Sequence, residues 1–236
     1  MTSMRRVYRT WENAAPHPLV ARDVAAMLRA GSLALLPTET VYGLGVAVSA
    51  VEAAAQGDMP GPESGYRRIF SLKCRELTQT VPWLVSGPEA LDEYGESVAP
   101  EIRALTSAFW PGALTVVVPA SHRVPAFMRT GDGTVALRAS ASPVIRAIIR
   151  SCGCPLAVTS ANTHGAPAPA SFDDVERRVL AGVDVAVDAG ATRCRDASTI
   201  VAVRDGEVSI LREGALSADQ ILSVISDMTQ ISERGC

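Results

Sequence analysis

Short apolar runs rich in β-branched residues alternate with stretches of helical periodicity along this chain, and the alternation leaves few folds open. "SLALLP" (32–37), "ALTVVVPA" (113–120), "GTVALRA" (133–139), "CPLAVTSAN" (154–162) and "VDVAVDAG" (183–190) have strand length and are bounded by glycine, proline or small polar residues. "STIVAVRDGEVSILREG" (198–214) reads as a hairpin turning at Asp205-Gly206. "TQTVPWLVS" (78–86) reads as a further strand with an edge or bulge at Pro82. Helical spacing covers 18–31, 49–56, 66–77, two segments within 87–112, 142–153, 172–182 and 217–226. Crossover helices call for parallel strand pairs and the hairpin for an antiparallel one. The expected fold class is therefore α/β, a single domain over 1–236 built on a twisted mixed sheet flanked by helices. "GDMPGPESG" (57–65) reads as an inserted loop, and no repeat or linker divides the chain.

Composition narrows the chemistry. A 47% hydrophobic content supplies a sizeable core, and a net charge of −3 announces no global attraction to nucleic acid. Five cysteines (74, 152, 154, 194 and 236) are odd in number and lack C-x-x-C spacing, which argues against a disulfide framework. With histidines only at 17, 122 and 164, no structural zinc site is expected, and Cys152 and Cys154 read as core thiols. The first residues hold no apolar stretch of signal-peptide length and nothing later resembles a membrane span, so the expected location is the cytoplasm.

Polar residues gather where strands or helices end: Thr38/Glu39/Thr40/Tyr42, Lys73/Arg75, Thr159/Ser160/Asn162 and Ser198/Thr199. Arg138 and Arg212 each follow apolar strand residues. Ligands of sheet proteins bind where strand ends and loops converge, and hydroxyls, amides and fixed cations suit an anionic, oxygen-rich ligand. Each cluster also has a plain structural reading. Ser and Thr form turns, Lys73 and Arg75 suit a helix C-terminus, and Arg138 suits an exposed edge strand. Composition alone does not join them.

The order of the motifs does. "PTETVYGLG" (37–45) is followed by Lys73-x-Arg75, "FWPGALTVVV" (109–118), "TVALR" (134–138), "PLAVTSANTHGAPAP" (155–169) and the closing "STIVAV" and "ILREGA". In this order they resemble the YrdC/Sua5 family of threonylcarbamoyl-adenylate synthases, over about residues 20–225. The short remainder resembles the compact form, without an extra C-terminal domain. The resemblance implies a single YrdC-like fold with a concave ligand cleft. It also implies a nucleotidyltransferase that joins L-threonine, bicarbonate or CO2 and ATP, with Mg2+ entering on the ATP phosphates. The products would be threonylcarbamoyl-AMP and pyrophosphate, the former passed to a threonylcarbamoyl transferase for adenosine 37 of tRNA.

Carried over by position, Lys73 and Arg75 resemble the catalytic basic pair facing triphosphate and carboxylate. Thr40, Arg138 and Ser160 resemble the amino acid site. Arg75, Thr115, Ser160, Asn162, Ser198 and Arg212 resemble the ATP site. Because no G-x-x-x-x-G-K-[ST] loop is present, phosphate binding falls to side chains and strand-end amides. The motif glycines are expected to turn the backbone sharply beside the ligand, and Glu39 either orients its neighbours or takes a proton.

The chain also departs from the family pattern. Cys74 stands where glycine is usual and Glu76 where proline is. The asparagine position falls near Gln79 or Thr80, and a histidine found near the amino acid aligns with about Leu84. Ser140 replaces the proline of R-x-P, and His164 a serine. Two readings stay open: a transfer-RNA enzyme that has drifted, or a paralogue activating another amino acid or carbamoyl compound. A third, of another class, is a non-catalytic RNA-binding protein using Arg5, Arg6, Arg9, Arg67 and Arg68.

Overall fold

The computed structural model describes residues 6–12, 14–55, 59–204 and 206–234, with side chains of the last helix followed to 228. The strands are β1 (Arg6–Arg9), β2 (Ala34–Pro37), β3 (Tyr42–Ala47), β4 (Trp83–Leu84), β5 (Leu114–Pro119), β6 (Thr134–Arg138), β7 (Leu156–Ser160), β8 (Val185–Asp188), β9 (Thr199–Arg204) and β10 (Glu207–Arg212). All join one mixed sheet in the order β1-β8-β2-β3-β7-β4-β6-β5-β9-β10. The helices are α1 (Pro18–Arg29), α2 (Val48–Ala55), α3 (Gly65–Lys73), α4 (Ala90–Tyr94), α5 (Pro100–Phe109), α6 (Pro143–Cys152), α7 (Arg177–Ala181) and α8 (Ala218–Arg234).

Alternation along the strands buries both faces of the sheet. Leu35 and Leu44 point into a core shared with Ile69, Leu105 and Ile221, while Leu36 packs on the other face with Leu28 of α1 and Ile145 and Ile148 of α6. The α1 start is set by His17, whose ring accepts a hydrogen bond from the Leu19 amide, and by Pro18 at the first turn. α6 starts under a Ser142 cap and stops at Gly153, which has φ 71°.

Several expectations need correction. The glycines of "YGLG" do not turn the chain. They lie within β3, which pairs with β2 and β7, and neither has positive φ. A Cβ on Gly43 would stand 2.5 Å from Val158 Cγ1, and one on Gly45 3.0 Å from Val158 Cγ2, so their smallness lets β7 approach. The turn falls instead on Thr38–Val41. "TQTVPWLVS" contributes only the two residues of β4, and these sit inside the sheet between β7 and β6 rather than at an edge. Pro82 is accommodated by its carbonyl, which accepts from the Val158 amide at 2.8 Å. The helix expected over 172–182 is confined to α7, whereas the last helix runs on to Arg234. β1, with its basic sequence, has no sequence signal. Within the 57–65 segment, 57 and 58 lie outside the described residues, as do Asp205 of the hairpin turn, Arg5 and Cys236.

Candidate functional site

The turn after β2 and the ends of neighbouring strands converge on a cleft of about 290 Å3. Thr40, Arg75, Thr115, Arg138, Ser160, Ser198 and Arg212 line it together with Thr38, Thr80 and Thr159. Residues far apart in sequence meet here because β3, β7, β4, β6, β5 and β9 are consecutive neighbours in the sheet.

One wall is a buried ion pair. Arg138, 6% exposed at the end of β6, donates from Nη2 to Glu39 Oε1 at 2.6 Å, from Nη1 to Thr40 Oγ1 at 2.9 Å and from Nε to the Gly112 carbonyl at 3.0 Å. The Ser140 hydroxyl donates to the other Glu39 oxygen. Burial alone would raise the Glu39 pKa, but the Arg138 guanidinium and these hydrogen bonds hold its carboxyl below the usual range. Glu39 is therefore an ionised anchor that fixes Arg138 rather than a proton carrier. Three of the five guanidinium N–H groups are used in these bonds, which leaves two for a ligand carboxylate.

The Thr38–Val41 turn fixes the next contact. Thr38 Oγ1 lies 2.6 Å from the Val41 carbonyl and 2.7 Å from the Thr40 hydroxyl, and it accepts from the Thr40 and Val41 amides, each at 3.1 Å. Thr40, 1% exposed, shares this hydroxyl contact with Thr38 and accepts from Arg138 Nη1 at 2.9 Å. Thr192 Oγ1 holds the Thr40 carbonyl at 2.7 Å.

Opposite chemistry comes from Arg75, held by Gln79 Oε1 and the Thr80 carbonyl, each at 2.7 Å. Arg212 grips the Ser198 carbonyl at 2.7 Å, and Ser198 Oγ shares a 2.8 Å hydrogen bond with Thr115 Oγ1. Lys73 and Asn162, expected at the ligand, do not line the cleft. Lys73 is 3% exposed, and its Nζ donates to the Ser160 carbonyl at 2.5 Å and the Asn162 carbonyl at 2.8 Å, with Asn162 Oδ1 at 3.1 Å. It ties the end of β7 to the loop that follows. Burial, reinforced by the neighbouring Arg75 charge, pulls its pKa down to about 8.

Sequence reasoning missed Ser140 and Thr192, whose hydroxyls brace Glu39 and Thr40. For Ser140 the signal was present, a polar residue replacing proline two positions after Arg138. Thr192 sits in a loop that no motif covers. Two of the basic residues considered for RNA are engaged with acids. Arg68 is paired with Asp184 at 2.9 Å and Arg9 with Asp188 at 3.4 Å.

An open mixed sheet that gathers cations and hydroxyls in one cleft at its strand ends defines an α/β protein with a polar cleft. The family profile described as "Telomere recombination" (Sua5/YciO/YrdC) matches residues 26–214. The chain belongs to this family. It is 32% identical to a threonylcarbamoyl-AMP synthase of Pyrococcus abyssi over 88% of this chain and 57% of that protein. It is also 32% identical to one of Xanthomonas oryzae pv. oryzae, over 80% of this chain and 99% of that protein. The crystal structure of P. abyssi Sua5 complexed with L-threonine superposes with a TM-score of 0.80 at 30% identity, covering 94% of this chain and 61% of that one. The chain thus spans less than two thirds of the Pyrococcus protein. Among the described residues no helix is long and apolar enough to cross a membrane.

Proposed function

We propose that this chain is a nucleotidyltransferase that condenses L-threonine, bicarbonate or CO2, and MgATP to threonylcarbamoyl-AMP and pyrophosphate. The observation that carries the reading is the pairing, in one cleft, of a buried arginine with free N–H groups and the threonine hydroxyl that it holds at 2.9 Å. Arg138 then holds the threonine carboxylate while Thr40 accepts from its amine. The relatives named threonylcarbamoyl-AMP synthase and the Pyrococcus structure holding L-threonine support the same assignment.

In the reaction the neutral amine adds to CO2 with release of a proton, or to bicarbonate with loss of water, and the resulting N-carboxylate attacks the α-phosphorus as pyrophosphate leaves. Two anions must meet, so alignment and fixed positive charge contribute most. Arg75 and Arg212 supply the charge on the nucleotide side, and Thr115, Ser198 and Ser160 supply hydroxyls there. Lys73 and Asn162 act one step back, holding Ser160 in place. Among the described residues those lining the cleft include no carboxylate, and the nearby Glu39 is engaged by Arg138 and Ser140. Mg2+ would enter on the ATP phosphates. The mixed anhydride product would serve a threonylcarbamoyl transferase acting on tRNA, in the cytoplasm.

One observation favours a second reading, a paralogue that activates a different amino acid. Pro82, Leu84 and Val158 give the cleft an apolar wall. Pyrophosphate release measured across an amino acid panel, with and without bicarbonate, separates the two. Threonine-dependent, bicarbonate-dependent release is expected. Release that needs neither would sink both readings, and release with another amino acid alone would leave the second. Thr40→Ala is expected to raise the KM for the amino acid more than it lowers kcat.

A further inference from the structure

Away from the cleft, Cys152 ends α6 and Gly153, with φ 71°, turns the chain back so that Cys154 Sγ lies 3.7 Å from Cys152 Sγ. Cys152 is 7% exposed. Cys154 is half-buried and opens onto a separate cavity of about 500 Å3, lined also by Tyr94, Arg146 and Arg150. Ser49 Oγ stands 3.1 Å from its sulfur. We propose that Cys152 and Cys154 are a redox-active dithiol that hydroperoxides oxidise to an intrachain disulfide.

The two thiols have different surroundings, as such a pair requires. The hydrogen bond shared with Cys152 holds the Cys154 thiol below its ordinary range against the effect of burial, and Ser49 and Arg29 act in the same direction. The Cys152 thiol is pushed up, by that same bond and by burial. Cys154 thiolate attacks one peroxide oxygen; the O–O bond breaks, alkoxide or hydroxide leaves and takes up a proton, and Cys154 becomes a sulfenic acid. The Cys152 sulfur then attacks the Cys154 sulfur. The S–O bond breaks, the S–S bond forms, and water leaves with the Cys152 proton. Two thiols are oxidised by two electrons and one hydroperoxide is reduced to alcohol (or water) and water. A bridge between residues two apart closes a small ring, and such constrained disulfides are the readily reduced kind.

Trypsin cleavage after Arg150 and Arg177 places both sulfurs on the peptide 151–177. Treatment of the folded chain with hydrogen peroxide should make this peptide about 2 Da lighter and resistant to alkylation until dithiothreitol is added. Cys152→Ala should stop at a sulfenic acid on Cys154, captured by dimedone, and Cys154→Ala should leave Cys152 unmodified. The proposal is overturned if the wild-type peptide still takes two alkyl groups when the exposed Cys74 and Cys194 are already oxidised, or if dimedone marks Cys152. The wild-type mass decides the matter even if a variant fails to fold.

Discussion

Cys74 has the left-handed backbone (φ 51°, ψ 47°) that closes α3, with the Arg75 amide donating to the Phe70 carbonyl at 3.0 Å and the Cys74 amide to that of Ser71 at 3.3 Å. This hydrogen-bond pattern favours glycine at the left-handed position, and a side chain there costs about 1 kcal/mol. Cys74→Gly is expected to raise the urea midpoint by an amount corresponding to about 0.5–1 kcal/mol at unchanged m-value. An unchanged midpoint would show that the cysteine carries no such strain. The residue before it governs a pH response. Lys73 titrates at about 8 in the folded chain, against 10.5 for an ordinary lysine. Raising pH through about 8 removes the ammonium that ties Ser160 to Asn162, so activity should fall on that alkaline limb. Stability should move the other way. Between about 8 and 10.5 the unfolded chain binds more protons at this site than the folded one, so the contribution of Lys73 to folding improves as pH rises. Lys73→Arg, charged throughout, should flatten the alkaline limb. A limb that persists unchanged in the variant assigns it to another group.

The strand ladder decides where the cleft residues stand, and Gly43 shows how closely its elements fit. An added Cβ meets Val158 Cγ1 at 2.5 Å and the Thr159 carbonyl oxygen at 3.1 Å, so Gly43→Ala must push β3 from β7. A loss of about 1–3 kcal/mol is expected in denaturant unfolding. Val158→Ala should recover part of it in the double variant, because the nearest clash is with a side chain; strict additivity would place the strain on Thr159 instead. The same close fit explains what was legible in the sequence. Strands such as β5 and β7 showed themselves through β-branched runs, and α6 through its apolar face. β3 did not, because glycines required for packing look locally like turn signals. β4 is too short to carry a period and owes its central place to partners on both sides. Among the cleft residues, the polar clusters at strand ends were visible one by one, but only the order of family motifs joined them. The retreat of Lys73 behind Ser160 depends on side-chain reach across a loop, which no spacing encodes.

Across the whole molecule the cleft is assembled from segments running from Thr38 to Arg212, with the sheet as the only frame they share. A ligand bridging Arg75, Arg138 and Arg212 therefore joins segments far apart in the sequence and has no counterpart site once the sheet is lost. Binding to the folded state alone stabilises it by about 2.7 kcal/mol when the ligand is at a hundred times its Kd. MgATP together with threonine should accordingly raise the single unfolding transition as a whole rather than split it. Arg212→Ala should diminish the MgATP-dependent part of the shift and leave the threonine-dependent part, since Arg212 is bonded to Ser198 rather than to the Glu39–Arg138 pair. Arg138 offers no equally clean test, because its removal strands a buried carboxylate and destabilises the chain by itself. Scanning calorimetry with each ligand alone and both together reads the outcome. Equal loss of both shifts in Arg212→Ala would mean that amino acid and nucleotide do not occupy the two ends assigned to them.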